Sequence, residues 1–100
     1  MRFAQYGISH DHAAGKARVI RESGQAELAG VYEPSARARE ELGGNPAYDG
    51  EHWFSRKEEM LEDNGIGAIA VEGEIFQNVG FAREAVAHGK HVWMDKPAAG

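Results

Sequence analysis

Within the first 32 residues, two apolar-leaning runs, residues 2–7 and Leu28 to Tyr32, flank a stretch from His12 to about Ser23 in which Ala13, Ala17, Val19 and Ile20 recur at near-helical spacing. Strand, helix and strand in that order require a parallel sheet, because a helical crossover returns the chain in its original direction. The pattern then repeats. Ala68-Ile69-Ala70-Val71 is continuously apolar, as expected of a strand covered on both faces. A helix is expected over Asn78 to His88, with Val79, Ala82, Ala85 and Val86 on its packed side and Gly89 as its stop, followed by a last strand at His91 to Met94. Alternation throughout predicts an α/β fold with a doubly wound parallel sheet.

The middle of the chain is punctuated by turn and cap chemistry. Glu33-Pro34 closes the second strand, and Ser35 caps a helix running to about Leu42. Gly43 to Pro46 reads as a loop, and Ala47-Tyr48-Asp49 as a short edge strand. Ser55 and Glu58 have capping-box spacing, which predicts a helix from Arg56 to about Glu62 stopped by Asp63-Asn64-Gly65. A chain of 100 residues can bury one core but not two, so residues 1–100 are expected to form one domain.

The formal charge of −5, with basic residues interspersed among acids, argues against a nucleic-acid partner, which would need clustered Lys and Arg. No apolar run approaches the ~20 residues of a membrane span, and the N-terminus lacks the features of a signal peptide. A cytoplasmic protein without a membrane partner is expected, in keeping with the absence of cysteine.

In a sheet of this kind ligands gather beyond the carboxyl ends of the strands. Four turns occupy that position: Gly7 to His12, Glu33, Glu72 to Asn78, and Asp95-Lys96-Pro97. The first, Gly7-Ile8-Ser9-His10-Asp11-His12, keeps only the leading glycine of a G-x-G-x-x-G dinucleotide fingerprint. Ser9 is small enough to let backbone amides approach a phosphate, and Ala13, Ala14 and Gly15 can supply close helix packing. Glu33 follows at close to the spacing of about 20 residues at which an acid meets the adenosine ribose, which favours NAD over NADP; it reads equally well as an acidic helix start. Arg37 offers a phosphate partner should the carboxylate turn aside.

The C-terminal stretch is the most specific. His88-Gly89-Lys90-His91-Val92-Trp93-Met94-Asp95-Lys96-Pro97-Ala98-Ala99-Gly100 resembles the A-G-K-H-V-x-x-E-K-P-x-A motif of the glucose-fructose oxidoreductase, inositol dehydrogenase and MocA family, and Gly7 and Glu33-Pro34 extend the likeness across the chain. The resemblance implies a Rossmann-type nucleotide-binding domain, incomplete because the family's C-terminal substrate domain has no counterpart in these residues. It further implies an oxidoreductase acting on a sugar, cyclitol or related polyol. Gly7, Ile8, Ser9, His10, His12, Glu33, Glu72 and Lys96 would bind the cofactor, NAD rather than NADP. Lys96 would also be the catalytic residue assisting proton transfer, with Asp95 replacing glutamate and Lys96-Pro97 expected as a cis peptide. Read without the resemblance, Lys96 is a solubilising lysine before a proline.

The family's T-P-x-x-x-H, aligned here, falls on Gly73, Glu74 and Asn78, which leaves room for a non-catalytic nucleotide-binding or assembly module. His10-x-His12 after a first strand also suits a metal-dependent hydrolase, although His52, His88 and His91 are not placed to complete such a site. Trp53, Trp93 and Phe81 read as core or interface residues, and a partly uncovered last strand predicts homo-oligomerisation.

Overall fold

The computed structural model describes residues 1–10 and 12–94. β1 (Arg2–Tyr6), α1 (Ala13–Glu22), β2 (Glu27–Tyr32), α2 (Ala36–Leu42), a 3-10 turn (Pro46–Tyr48), α3 (Lys57–Leu61), β3 (Ala68–Val71), α4 (Ile75–Ala87) and β4 (His91–Met94) follow in order. The strands form one sheet in the order β2-β1-β3-β4, and every pairing is parallel. Tyr6 stands level with Tyr32 and Val71, and Val71 with Met94. All four strands therefore end on one rim, and the order switches direction between β1 and β3, where a doubly wound sheet opens a ligand crevice.

Side-chain alternation sends the strands' residues to opposite faces, and each face has its own core. On one, Ala4, Tyr6, Ile69 and Val71 pack with Met60 and Leu61 of α3 and with Phe81 and Ala85 of α4. Tyr6 and Phe81 stack with ring centroids 3.8 Å apart. On the other, Leu28, Val31 and Ala70 pack against Ala17 and Ile20 of α1 and Ala47 and Tyr48 of the 3-10 turn. β3 is buried at all four positions, as its unbroken apolar run requires.

Three expectations need correction. Residues 47–49 do not form an edge strand: Asn45 caps a 3-10 turn there, its side chain accepting from Ala47 N at 2.9 Å, with proline fixing the first position. The edge is extended instead by His52 to Phe54, where Val31 N donates to His52 O at 2.8 Å and Phe54 N to Val31 O at 2.9 Å. Trp53 thus forms an isolated parallel bridge to Val31. Gly30 makes this crossing possible, since a Cβ there would lie 2.6 Å from the Phe54 ring and 2.9 Å from His52 O.

The capping chemistry before α3 is displaced by one residue. Glu59, not Glu58, reaches back, and its Oε1 accepts from both Ser55 N (2.9 Å) and Arg56 N (2.8 Å). α4 starts three residues before its expected beginning and is rotated. Its buried face carries Asn78, Phe81 and Ala85, whereas Val79 and Val86 are exposed. Phe81 wins because its ring stacks on Tyr6 and fills the space that two valines cannot.

Polar groups brace the frame. Lys90 is buried just before β4, its Nζ donating to Asp63 O and Ile66 O, both at 2.6 Å. Glu84 of α4 accepts from Tyr6 Oη at 2.8 Å and pairs with Lys57 Nζ at 2.7 Å. Burial alone would raise the Glu84 carboxyl, but the bonds from Lys57 and Tyr6 outweigh it and hold the group below its usual range. Burial, followed by the Glu84 bond, raises the Tyr6 phenol.

Candidate functional site

The first turn departs from β1 at Gly7, whose φ of +91° lies in the left-handed region that favours glycine. A second constraint is tighter. A Cβ at Gly7 would meet Gly73 N at 2.6 Å and Gly73 Cα at 2.7 Å, so the loops closing β1 and β3 touch backbone to backbone at the switch point.

Hydrogen bonds then fasten the turn on every side. Gly7 N donates to Tyr32 O at 2.8 Å, and His10 N to Glu72 O at 2.9 Å. Ile8 N donates to Glu33 Oε1 at 2.8 Å, while Glu33 Oε2 accepts from Ser35 N at 2.7 Å. Glu33 therefore joins the end of β2 to the turn after β1, and its carboxylate lies within the rim, 8% exposed. A carboxylate has about four lone-pair sites, so two backbone bonds leave capacity for sugar hydroxyls. Arg37 does not approach it; its guanidinium pairs with Glu41 at 3.0 Å on the exposed face of α2.

Below the turn, Gln5 is fully buried in β1, and its Nε2 donates to Gly7 O at 3.2 Å and to Tyr48 Oη at 3.0 Å. Burial first, and then the charges of Glu72 and Glu33, push the Tyr48 phenol up to about 12 against the lowering effect of the Gln5 bond. Tyr48 remains a neutral hydroxyl across the physiological range. It helps line a cleft of about 230 Å³ with Ile8, Ser9, His10, Ala14, Leu42 and Asn45. A wider cleft of about 500 Å³ lies on the other side of Glu33, between Tyr32 to Pro34, the first half of α2, and Phe54 and Ser55.

Lys16 of α1 and Glu72 are buried together, Nζ to Oε2 3.0 Å, and the same ammonium stands 4.6 Å from the centre of the Trp93 ring. The pair links α1, the end of β3 and β4. The sequence did carry a signal for Lys16, since it occupies a position on the apolar face of α1 between Ala13 and Ala17 and Ile20. Gln5, a polar residue in a central strand, was a similar signal, whereas nothing local distinguished Tyr48.

Of the nominated residues, Gly7, Ile8, Ser9, His10, Glu33 and Glu72 meet around the crevice, and His12 stands beside His10 with ring centroids 5.3 Å apart. Among the described residues, no group of three or more metal-ligating side chains gathers at this pair or elsewhere. Asp95, Lys96 and the Lys96-Pro97 peptide lie outside the described residues. Asn78, at the position aligned with the family histidine, is buried with its Oδ1 3.2 Å from where a Gly73 Cβ would be. No helix among the described residues is long and apolar enough to cross a membrane.

The geometry suits a dinucleotide. Glycine backbones meet where its phosphates would pass, α1 begins without a side-chain cap, and an acid ends β2.

Comparison with known proteins agrees with this architecture. The crystal structure of a candidate oxidoreductase from Erwinia carotovora atroseptica matches with a TM-score of 0.83 and 26% identity over 97% of this chain and 28% of its own. Biliverdin reductase from Synechocystis, solved with biliverdin and NADP+, matches with a TM-score of 0.77 and 20% identity over 98% of this chain and 30% of its own. UDP-N-acetylglucosamine 3-dehydrogenase from Acidithiobacillus ferrooxidans gives 0.73 and 20% over 97% and 28%. The chain thus spans under a third of the length of these solved proteins. No curated protein matches the sequence. The model of an oxidoreductase family with an NAD-binding Rossmann fold matches residues 6–100, and the chain belongs to that family, named for glucose-fructose oxidoreductase, inositol dehydrogenase and MocA.

Proposed function

We propose that this chain is the nucleotide-binding portion of an NAD(H)-dependent dehydrogenase acting at the carbinol carbon of a sugar, cyclitol or related polyol. The observation that carries the reading is the bond from Ile8 N to the Glu33 carboxylate, which brings an acid from β2 against the glycine turn of β1. In this arrangement the first turn holds the pyrophosphate through backbone N–H groups, and Glu33 accepts from the adenosine ribose. A buried carboxylate there disfavours an additional 2'-phosphate, hence NAD over NADP.

The nicotinamide, when bound, supplies or receives the hydride. The chain's own part in the chemistry is assigned to Lys96, which by family resemblance hydrogen-bonds the reacting oxygen and moves its proton. Met94 stands level with Val71 on the rim, and Lys96 follows it two positions later in the sequence. Glu72 stands on the same rim, its charge met by Lys16. Sugar chemistry is supported by the dehydrogenase of a UDP-amino sugar among the proteins of this fold.

Calorimetric titration with NADH and NADPH tests the cofactor assignment: binding of NADH at least about tenfold tighter than NADPH, roughly 1.4 kcal/mol, is expected. Absence of heat with either at millimolar concentration contradicts it. In the whole protein that carries this chain, Lys96→Ala should abolish dehydrogenase turnover; undiminished turnover removes Lys96 from the mechanism. A second reading, a nucleotide-binding module without activity, is favoured by Gly73, Glu74 and Asn78 where the family has Thr, Pro and His. Dehydrogenase turnover by the whole protein excludes it.

A further inference from the structure

One turn of the frame, at the opposite end of the sheet from the crevice, carries chemistry that the dinucleotide reading does not use. Between α3 and β3 the chain reads Asp63-Asn64-Gly65-Ile66, with the first three residues exposed. Ile66 N donates to Asp63 O at 3.1 Å, which closes a four-residue turn with Asn64 and Gly65 at its tip. Gly65 N donates to Asp63 Oδ1 at 2.7 Å. The side-chain amide of Asn64 makes no hydrogen bond among the described residues, so nothing holds it away from the backbone beside it.

An asparagine followed by glycine is placed for an intramolecular reaction. The backbone nitrogen of the second residue attacks the side-chain carbonyl carbon of the first through a five-membered ring, and a glycine puts no Cβ in the way. The other asparagines lack the means. Asn45 precedes Pro46, which has no N–H, and Asn78 is buried within α4 ahead of the β-branched Val79. Two cations also face the Asn64 turn from other elements. Arg2 of β1 has its Nη1 2.8 Å from where a Gly65 Cβ would lie, and Lys90 donates Nζ to Asp63 O and Ile66 O, both at 2.6 Å. The acids of this stretch are Glu62 and Asp63, both exposed. Positive charge from two sides favours the nitrogen anion that attacks, the oxyanion that forms and the carboxylate that results.

We propose that Asn64 is a modification site, converted without an enzyme to aspartate and isoaspartate, and that the isoaspartyl product opens the clasp of Lys90 on this turn. Gly65 N gives its proton to hydroxide and bonds to Asn64 Cγ; the Cγ–Nδ2 bond breaks and the amide nitrogen leaves as ammonia. Water then opens the imide at either carbonyl, and no oxidant or reductant is consumed. Opening at Cγ leaves an ordinary aspartate. Opening at the main-chain carbonyl routes the backbone through Cβ and Cγ and makes it one atom longer. The added atom falls between Asp63 O and Ile66 O, the two acceptors that Lys90 bridges immediately before β4. The inference is independent of the nucleotide reading.

The test is storage of the full chain at mildly alkaline pH, followed by isoelectric focusing and peptide mass spectrometry. An added negative charge located at residue 64, and none at Asn45 or Asn78, is expected. Asn64→Gln should abolish the shift, and Arg2→Gln should slow it about fivefold by removing a nearby cation. The isoaspartyl form, separated by chromatography, should melt at least about 4 °C below the parent through loss of the Lys90 bonds. Asn64→Asp, which has the charge without the added atom, should melt within about 2 °C of the parent. An acidic shift that persists in Asn64→Gln overturns the assignment of the site. So does an intact Asn64 in the folded chain over the time in which the same chain in urea converts completely. Equal melting of the isoaspartyl form and Asn64→Asp overturns the opening of the clasp. Circular dichroism of each variant confirms that its fold is retained.

Discussion

Replacing Gly7 by alanine tests the feature on which the crevice is built. Two costs add. At φ +91° a side chain strains the backbone by about 1–2 kcal/mol. The new methyl would also sit 2.6 Å from Gly73 N, a backbone atom that cannot rotate away, and overpacking of this kind costs about 1–3 kcal/mol. Gly7→Ala should therefore lose about 2–5 kcal/mol, a large part of the roughly 5–15 kcal/mol that holds a domain folded. At about 4–8 °C per kcal/mol for a domain of this size, the thermal midpoint should fall by at least about 8 °C. Urea titration followed by circular dichroism, with unchanged m-value, gives the same quantity independently. Gly15→Ala in α1 and Gly80→Ala in α4 are internal controls. Neither Cβ would have a neighbour within 4 Å, and each should stabilise by about 0.5–1 kcal/mol through helix propensity. Gly73→Ala should also destabilise, because its Cβ would lie 2.5 Å from the Phe81 ring, which is itself held in the core by stacking on Tyr6. A Gly7→Ala midpoint within 2 °C of the parent would refute the backbone contact and the crevice derived from it.

Other outcomes follow from the polar frame. Glu33→Gln replaces one acceptor oxygen by a donor, so it should destabilise by about 1–3 kcal/mol from an unmatched backbone N–H and weaken NADH more than NADPH, measured by thermal melts and calorimetry. Glu84 is held below its usual range in the folded chain, so its stabilisation is present at neutral pH and is lost as pH falls from about 4.5 through the lowered folded value. Melting curves of Glu84→Gln should show a shallower acid slope than the parent; parallel slopes would remove Glu84 as a contributor. Ser35→Ala removes the bond from Ala38 N at 3.1 Å and should cost about 1 kcal/mol, read as a lower urea midpoint.

Where packing is generic, the sequence was readable. Ala68 to Val71 has no polar alternation and forms a strand buried on both faces, and Ser35 and Gly89 end or begin helices where their chemistry says they should. The failures share a cause, which is that one period fits two faces. Val79 and Val86 have as good a helical spacing as Phe81 and Ala85, and only the Tyr6 ring, 75 positions away in the chain, selects between them. Trp53 looked like core and is partly that, yet its backbone extends the sheet edge because Gly30 opposite has no side chain. At the site, Gly7 and Glu33 were visible as a turn glycine and an acid at the right interval. Their bond through Ile8 N was not, because it depends on how β1 and β2 register.

The contact between Gly7 and Gly73 bears on what recognition costs. Two loops wedged main chain against main chain cannot move independently, so a guest entering between them finds its host already arranged. Little ordering penalty is then charged to the protein, and affinity is governed by the guest's own loss of freedom. Variation in what this groove accepts must come from side chains hung on its margins, since its floor leaves no slack to remodel.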